Sequence, residues 1–116
     1  MRKIKFYQIN ENRKPIVEFL DCLNDKQIEK VFWVFDLVEE LKQVPKEYLK
    51  KLVNTEDLWE VRVKFGNNAF RFLGFFEKND LIILNHAFIK KNQKIPKQEI
   101  RIAVKRKEDY YRKYGK

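Results

Sequence analysis

The chain is poor in the residues from which several large protein classes are built: one cysteine, one histidine, three glycines and three prolines among 116 residues. A lone thiol, Cys22, forms neither an internal disulfide nor a CxxC pair, which excludes disulfide-stapled folds and dithiol redox motifs and fits a reducing cytosol. Lying in the apolar segment Ile16–Leu23, Cys22 reads as core filler. One histidine and one cysteine fall short of a zinc site, and no HExxH spacing occurs, so no metal is expected. Three glycines leave no phosphate-cradling Gly-rich loop or dinucleotide fingerprint, so nucleotide-cofactor enzymes drop away and no cofactor is expected. No stretch reaches the roughly 18 apolar residues of a membrane span, and Met1–Phe6 lacks the apolar core of a signal peptide. A cytoplasmic protein with no membrane partner is expected.

What the chain does have is charge and aromatic rings. Charged residues make up 37%, against roughly 25% in an average domain, yet ten Phe, five Tyr and two Trp exclude a disordered polyelectrolyte. The length suits one domain spanning residues 1–116. The net charge of +9 is unevenly placed. Residues 1–57 hold 11 basic and 11 acidic side chains, whereas residues 58–116 hold 15 and 6. All the excess therefore belongs to one half, either as a surface for a polyanion or as plain solubilising charge.

Hydrophobic periodicity predicts the order β-α-α-β-β-β-α, an α+β domain with helices packed on a small, mainly antiparallel sheet. Lys3–Ile9 reads as a short strand. Pro15 opens a helix with Ile16, Phe19, Leu20 and Leu23 on one side. Asn24 or Asp25 caps a longer helix to about Val44, stopped by Pro45, with a main stripe of Ile28, Val31, Phe32, Phe35, Val38 and Leu41. Trp33, Val34 and Leu37 widen that stripe, so the helix is either buried on two sides or covered by a partner. After a connecting segment, Leu58–Phe65, Ala69–Phe76 and Leu81–Ile89 alternate with period two across turns at Gly66-Asn67 and Asn79-Asp80. Pro96 opens a last helix with Ile100, Ala103, Val104, Tyr110, Tyr111 and Tyr114 roughly on one side.

Turn length fixes register. A two-residue turn at Gly66-Asn67 sets Val63 against Phe70, Val61 against Phe72 and Arg62 against Arg71; a three-residue turn would bury Arg71 unpaired opposite Val63. A two-residue turn at Asn79-Asp80 sets Arg71 against Phe88 and Leu73 against His86. Glu60, Arg62, Lys64, Arg71, His86 and Phe88 then converge at one end of a sheet face, whose other end carries Leu73, Phe75, Ile82 and Leu84 and needs a cover. Opposed arginines repel. A phosphate held in their bidentate forks would relieve that repulsion, as would Glu60. Residues 90–107 add eight basic residues, Lys90, Lys91, Lys94, Lys97, Arg101, Lys105, Arg106 and Lys107, against the single acid Glu99. That imbalance favours nucleic acid over an ordinary solvated surface.

The ordered series Leu58-Trp59-Glu60-Val61-Arg62, Phe70-Arg71-Phe72, Leu84-Asn85-His86-Ala87-Phe88-Ile89-Lys90-Lys91, Lys94-Ile95-Pro96, Glu99-Ile100 and Ala103 resembles HigB-type toxins of the RelE/ParE superfamily. These belong to type II toxin-antitoxin systems, often phage-derived. The resemblance runs from about Met1 to Tyr111 and is most specific over residues 58–106. It implies a microbial RNase fold and metal-independent cleavage of mRNA on the ribosome, inhibiting translation, by attack of a ribose 2′-OH on the adjacent phosphate. On that resemblance Arg71 is the candidate for stabilising the phosphate in the transition state. Arg62, Lys90 and Lys91 are backbone clamps, and Glu60 or His86 is the proton-transfer group. Catalytic candidates are thus Arg71, His86, Arg62, Lys91 and Glu60; RNA-binding candidates are Lys64, Lys90, Lys94, Lys97, Arg101, Lys105 and Arg106. Tyr110 and Tyr111 are proton-transfer candidates by residue type, with core packing as their other reading. A HigA-like helix-turn-helix antitoxin is the implied protein partner, with Trp33, Leu37, Leu73, Phe75 and Leu84 as candidate docking residues. Two alternatives stay open: a ParE-like, non-nuclease toxin acting on DNA gyrase, and a non-catalytic phage-derived RNA-binding protein.

Overall fold

A computed structural model describes residues 1–91 and 93–115. Its elements are β1 (Lys3–Phe6), α1 (Pro15–Leu20), α2 (Asp25–Glu40), β2 (Leu49–Lys51), β3 (Trp59–Phe65), β4 (Asn68–Lys78), β5 (Leu81–Ile89) and α3 (Lys97–Tyr114). Three helices pack on one open, mostly antiparallel sheet of order β1-β5-β4-β3-β2, in which β1 runs parallel to β5. This is the expected α+β class, with one strand, β2, added inside the segment read as a connection.

Helix ends follow local chemistry. Asn24 caps α2 through a reciprocal capping box with Gln27, its side chain accepting from the Gln27 N–H while the Gln27 side chain accepts from the Asn24 N–H. At the other end α2 stops at Glu40, before Pro45 is reached. The Arg2 guanidinium donates there to the carbonyls of Val38, Leu41 and Lys42 at 3.2, 2.6 and 2.9 Å. Those carbonyls lack partners within the helix, and a cation suits that end of its dipole. The helix buries Val31, Val34, Phe35 and Val38. Phe32 and Leu41, placed on its apolar stripe by periodicity, are exposed instead, and Val34 belongs to the core. Helix α1 ends before Cys22, which is exposed rather than core.

The first hairpin has the predicted register. Arg62 pairs with Arg71, Val61 with Phe72, and Val63 with Phe70. At the turn, Gly66 takes φ +59°, the left-handed backbone required at the first position of a II′ turn. In the second hairpin Arg71 pairs with Phe88 and Leu73 with His86 as predicted, but two register shifts lie between them and the turn: one between Leu73 and Gly74, where the next pair is Gly74 with Leu84, and a compensating one between Phe76, paired with Ile82, and Lys78, paired with Leu81. Asn85 is the extra residue of the first shift, a β-bulge. Gly74 permits the close approach, since a Cβ there would lie 2.0 Å from the Ile83 carbonyl oxygen.

The bulge reverses side-chain parity along β5 and corrects one sequence expectation. Ile82 and Leu84 face α1 and α2, in the main core with Ile16, Val31, Phe35, Val61, Val63, Phe70 and Phe72. Ile83, rather than Ile82 or Leu84, joins Phe75 on the opposite face, with Tyr7 and Tyr110. Next to them, Leu58, Leu73 and Phe88 pack against Ala103 of α3. The last helix is therefore the cover which that face needed. Tyr110 is buried against Phe75, with ring centroids 5.4 Å apart, while Tyr111 and Tyr114 are exposed. Among the described residues, no helix is long and apolar enough to cross a membrane.

Candidate nucleic-acid interface

The β3–β4 hairpin puts Glu60, Arg62, Lys64 and Arg71 on the sheet face that α3 also occupies. Arg62 and Arg71 are directly opposed, an arrangement that costs stability unless an anion intervenes. The intervening anion is Glu60. Its Oε1 lies 3.5 Å from Arg62 Nε and its Oε2 3.2 Å from Arg71 Nε. The reading in which Glu60 neutralises Arg62 is thus realised, and it extends to Arg71. Glu60 is 3% exposed and Arg71 7%, so the pair would be costly to bury unless the charges met. They meet imperfectly: Glu60 Oε2 and Arg71 Nε are close enough for an ion pair but misaligned for a hydrogen bond, and each is buried without a hydrogen-bond partner among the described residues. Arg71 Nη1 donates to the Phe70 carbonyl at 3.2 Å. Burial pulls the Arg71 guanidinium below its usual value and Arg62 adds to this, while Glu60 opposes it; an arginine so placed is still a cation.

Two lysines enlarge the cluster. Lys50 of β2 sits opposite Glu60 in the ladder. Lys90 follows β5, and its backbone N–H donates to the Ala69 carbonyl at 2.8 Å. The Lys90 ammonium is held below its ordinary value first by burial, then by Arg71, with Arg62 and Lys50 adding and Glu60 opposing. Four cations thus share the field of one buried carboxylate, leaving positive charge in excess. Lys50 escaped the sequence reading because a three-residue strand has too little alternation to stand out.

His86 belongs to a neighbouring network that ties α3 to the bulge. Its Nε2 is 2.7 Å from Glu99 Oε1, and Arg106 Nη1 is 3.4 Å from its Nδ1. Arginine can only donate, so Nδ1 is the acceptor, and the tautomer assigned from these partners carries its proton on Nε2, donating to Glu99. Burial lowers the imidazole below its usual value and Arg106 adds to this, against the pull of Glu99. Arg106 also donates to the Asn85 carbonyl at 2.9 Å, and Asn85 Nδ2 donates to the Ala103 carbonyl at 3.0 Å. Both ring nitrogens of His86 are engaged by α3, and Arg106, expected to bind RNA, is half-buried in the helix–sheet joint. Lys64, Lys91, Lys94, Lys97, Arg101 and Lys105 are exposed. They form a basic rim around the hairpin and the start of α3.

The apolar docking candidates separate. Trp33 is 48% exposed, with the 43% exposed Phe32 beside it and Lys30 Nζ 4.5 Å from the indole centroid; Leu37 is half-buried. Leu73, Phe75 and Leu84 are almost fully buried and cannot form a docking surface. The first two lie under α3, and the bulge turns the third into the α1/α2 core.

No curated protein matches the chain. The arginine pair bridged by Glu60, the basic rim and strands β2 to β5 all fall within residues 18–108, which match the family model described as "Phage derived protein Gp49-like (DUF891)". The chain therefore belongs to the Gp49-like family of phage-derived proteins, part of the RelE/HigB-like group of toxins from toxin-antitoxin systems.

Proposed function

We propose that this toxin is a ribosome-dependent mRNA endonuclease of HigB type, and that its antitoxin is a HigA-like helix-turn-helix protein. The observation that carries the reading is the cluster of Lys50, Arg62, Arg71 and Lys90 around Glu60 at the mouth of the hairpin face. In the reaction, the 2′-oxygen bonds to phosphorus as it gives up its proton, the P–O5′ bond breaks, and the departing 5′-oxygen takes a proton. The products are a 2′,3′-cyclic phosphate end and a 5′-hydroxyl end. Negative charge builds on the non-bridging oxygens along the way, and cations held in a site of low water content stabilise it more strongly than cations in bulk water. Arg71, buried and fixed, is suited to that task; Arg62 and Lys90 would hold the flanking backbone, and the exposed lysine rim would hold ribosomal RNA. With both nitrogens of His86 tied to Glu99 and Arg106, its role is to position α3. The exposed Phe32 and Trp33 of α2 fit an antitoxin contact.

Primer extension on cellular mRNA after brief expression tests the proposal. Codon-spaced cuts are expected from the native chain, and Arg71→Ala should reduce them about 100-fold or more, the usual cost of removing one transition-state donor. Intact mRNA accompanied by DNA damage would overturn the nuclease reading in favour of a gyrase-directed toxin.

A further inference from the structure

We infer that Glu60 is an internal competitor for the phosphate seat: its carboxylate lies where a phosphodiester would sit between Arg62 and Arg71, and RNA binds by exchanging one anion for the other. This rests on reading the arginine pair as a phosphate site. The two Glu60 oxygens are divided between two guanidinium groups, at 3.5 and 3.2 Å, as two oxygens of a bridging phosphate would be. A pair built for stability alone would align into a bidentate fork. Here the contact from Arg71 Nε to Glu60 Oε2 is out of line, and both atoms are buried without a hydrogen-bond partner among the described residues. The carboxylate is a poorly seated anion, and the guanidinium keeps a buried donor without a partner among the described residues.

The strand ladder gives the displaced carboxylate somewhere to go. Lys50 is the cross-strand partner of Glu60 on the edge strand β2, and its side chain is exposed. A swing towards that ammonium keeps Glu60 paired while the arginines pass to the phosphate, so no charge is left buried alone. Glu60 on this account lets the fold hold two opposed arginines in advance, at the cost of weakening the first contact with RNA.

The test measures binding without a ribosome and without cleavage, by fluorescence anisotropy of a labelled, fully 2′-O-methylated short RNA. Against the native chain, Glu60→Gln should bind about tenfold tighter, the scale of one close charge contact at an interface. Affinity should also fall more steeply with added KCl, because more counterions are released. Equal or weaker binding by a folded Glu60→Gln overturns the exchange, since a purely structural carboxylate gives no gain on removal. If Glu60→Gln does not fold, Glu60→Asp keeps the charge but shortens its reach, and it should bind more tightly than the native chain; unchanged or weaker binding overturns the inference in the same way. Tighter binding without any mRNA cuts in cells upholds the exchange and refutes the nuclease, whereas cuts with unchanged Glu60→Gln binding refute the exchange alone.

Discussion

The contact between Tyr7 and Asp109 joins the end of β1 to the last helix, and it should make stability depend on alkaline pH. Tyr7 is 4% exposed, and its hydroxyl donates to Asp109 Oδ2. Burial first, and the Asp109 carboxylate second, push the phenol from 10.0 up to about 12. Only the neutral phenol can donate, so the folded state holds its proton more tightly than the unfolded state does. The resulting stabilisation is complete below the unfolded value near 10 and is lost as pH rises through about 12. A shift of that size corresponds to about 3 kcal/mol at about 1.4 kcal/mol per unit. Tyr7→Phe keeps the ring that packs with Phe75, Ile83 and Tyr110 and removes the donor. Urea titrations followed by tryptophan fluorescence at pH 8, 10, 11 and 12 should show the native chain's stability relative to Tyr7→Phe falling by about 2 to 3 kcal/mol across that range. Lysine titration acts on both proteins and cancels in the difference. A gap that stays constant across this range would refute the assigned linkage.

Two further outcomes follow from the bulge and its neighbours. Gly74→Ala should destabilise by about 3 kcal/mol or more, because the new methyl would meet the Ile83 carbonyl oxygen at 2.0 Å; thermal melting would check this, and an unchanged midpoint would contradict the tight approach. His86, held below its usual value mainly by burial, stabilises the fold fully above about pH 6.5 and loses that contribution as pH falls towards its depressed folded value. His86→Phe keeps a ring against Phe88 and has nothing to protonate, so acidification from pH 7 to 5 should cost the native chain more stability than this variant in matched urea titrations.

Where the sequence was legible, simple geometry was the reason. Period-two alternation and a short turn were enough to oppose Arg62 and Arg71, since a slip of one residue would have buried Arg71 against Val63. The bulge at Asn85 was not legible, because one extra residue leaves each flanking stretch alternating normally and merely changes which face it serves. That is why periodicity puts Leu84 on the face that needs a cover, whereas it packs in the α1/α2 core on the opposite face. Helix α2 misled in a related way: its apolar arc is wider than its buried stripe, and periodicity has no means of telling buried Val34 from exposed Phe32. The carbonyls at the end of α2 are satisfied by Arg2, nearly forty residues away in sequence, and such contacts leave no local signal. At the site, the charged residues were identifiable by type and register. The long-range partners of His86 and Arg106 on α3 and the bulge were not, nor was Lys50.

The parallel pairing of β1 with β5 also sets an order of events during folding. Among the described residues, Lys3–Phe6 hydrogen-bond in the sheet to Leu81–Leu84 and to no other strand, so the first strand to be synthesised cannot dock until the fifth has been made. Long-range closures of this kind raise contact order and slow folding. The β3–β4–β5 meander, linked by two-residue turns, can assemble beforehand with the arginine pair already in register. The charged site should therefore take shape before the sheet is complete, and an unfinished chain would carry the cations without the edge strand and helix contacts that hold the finished domain together.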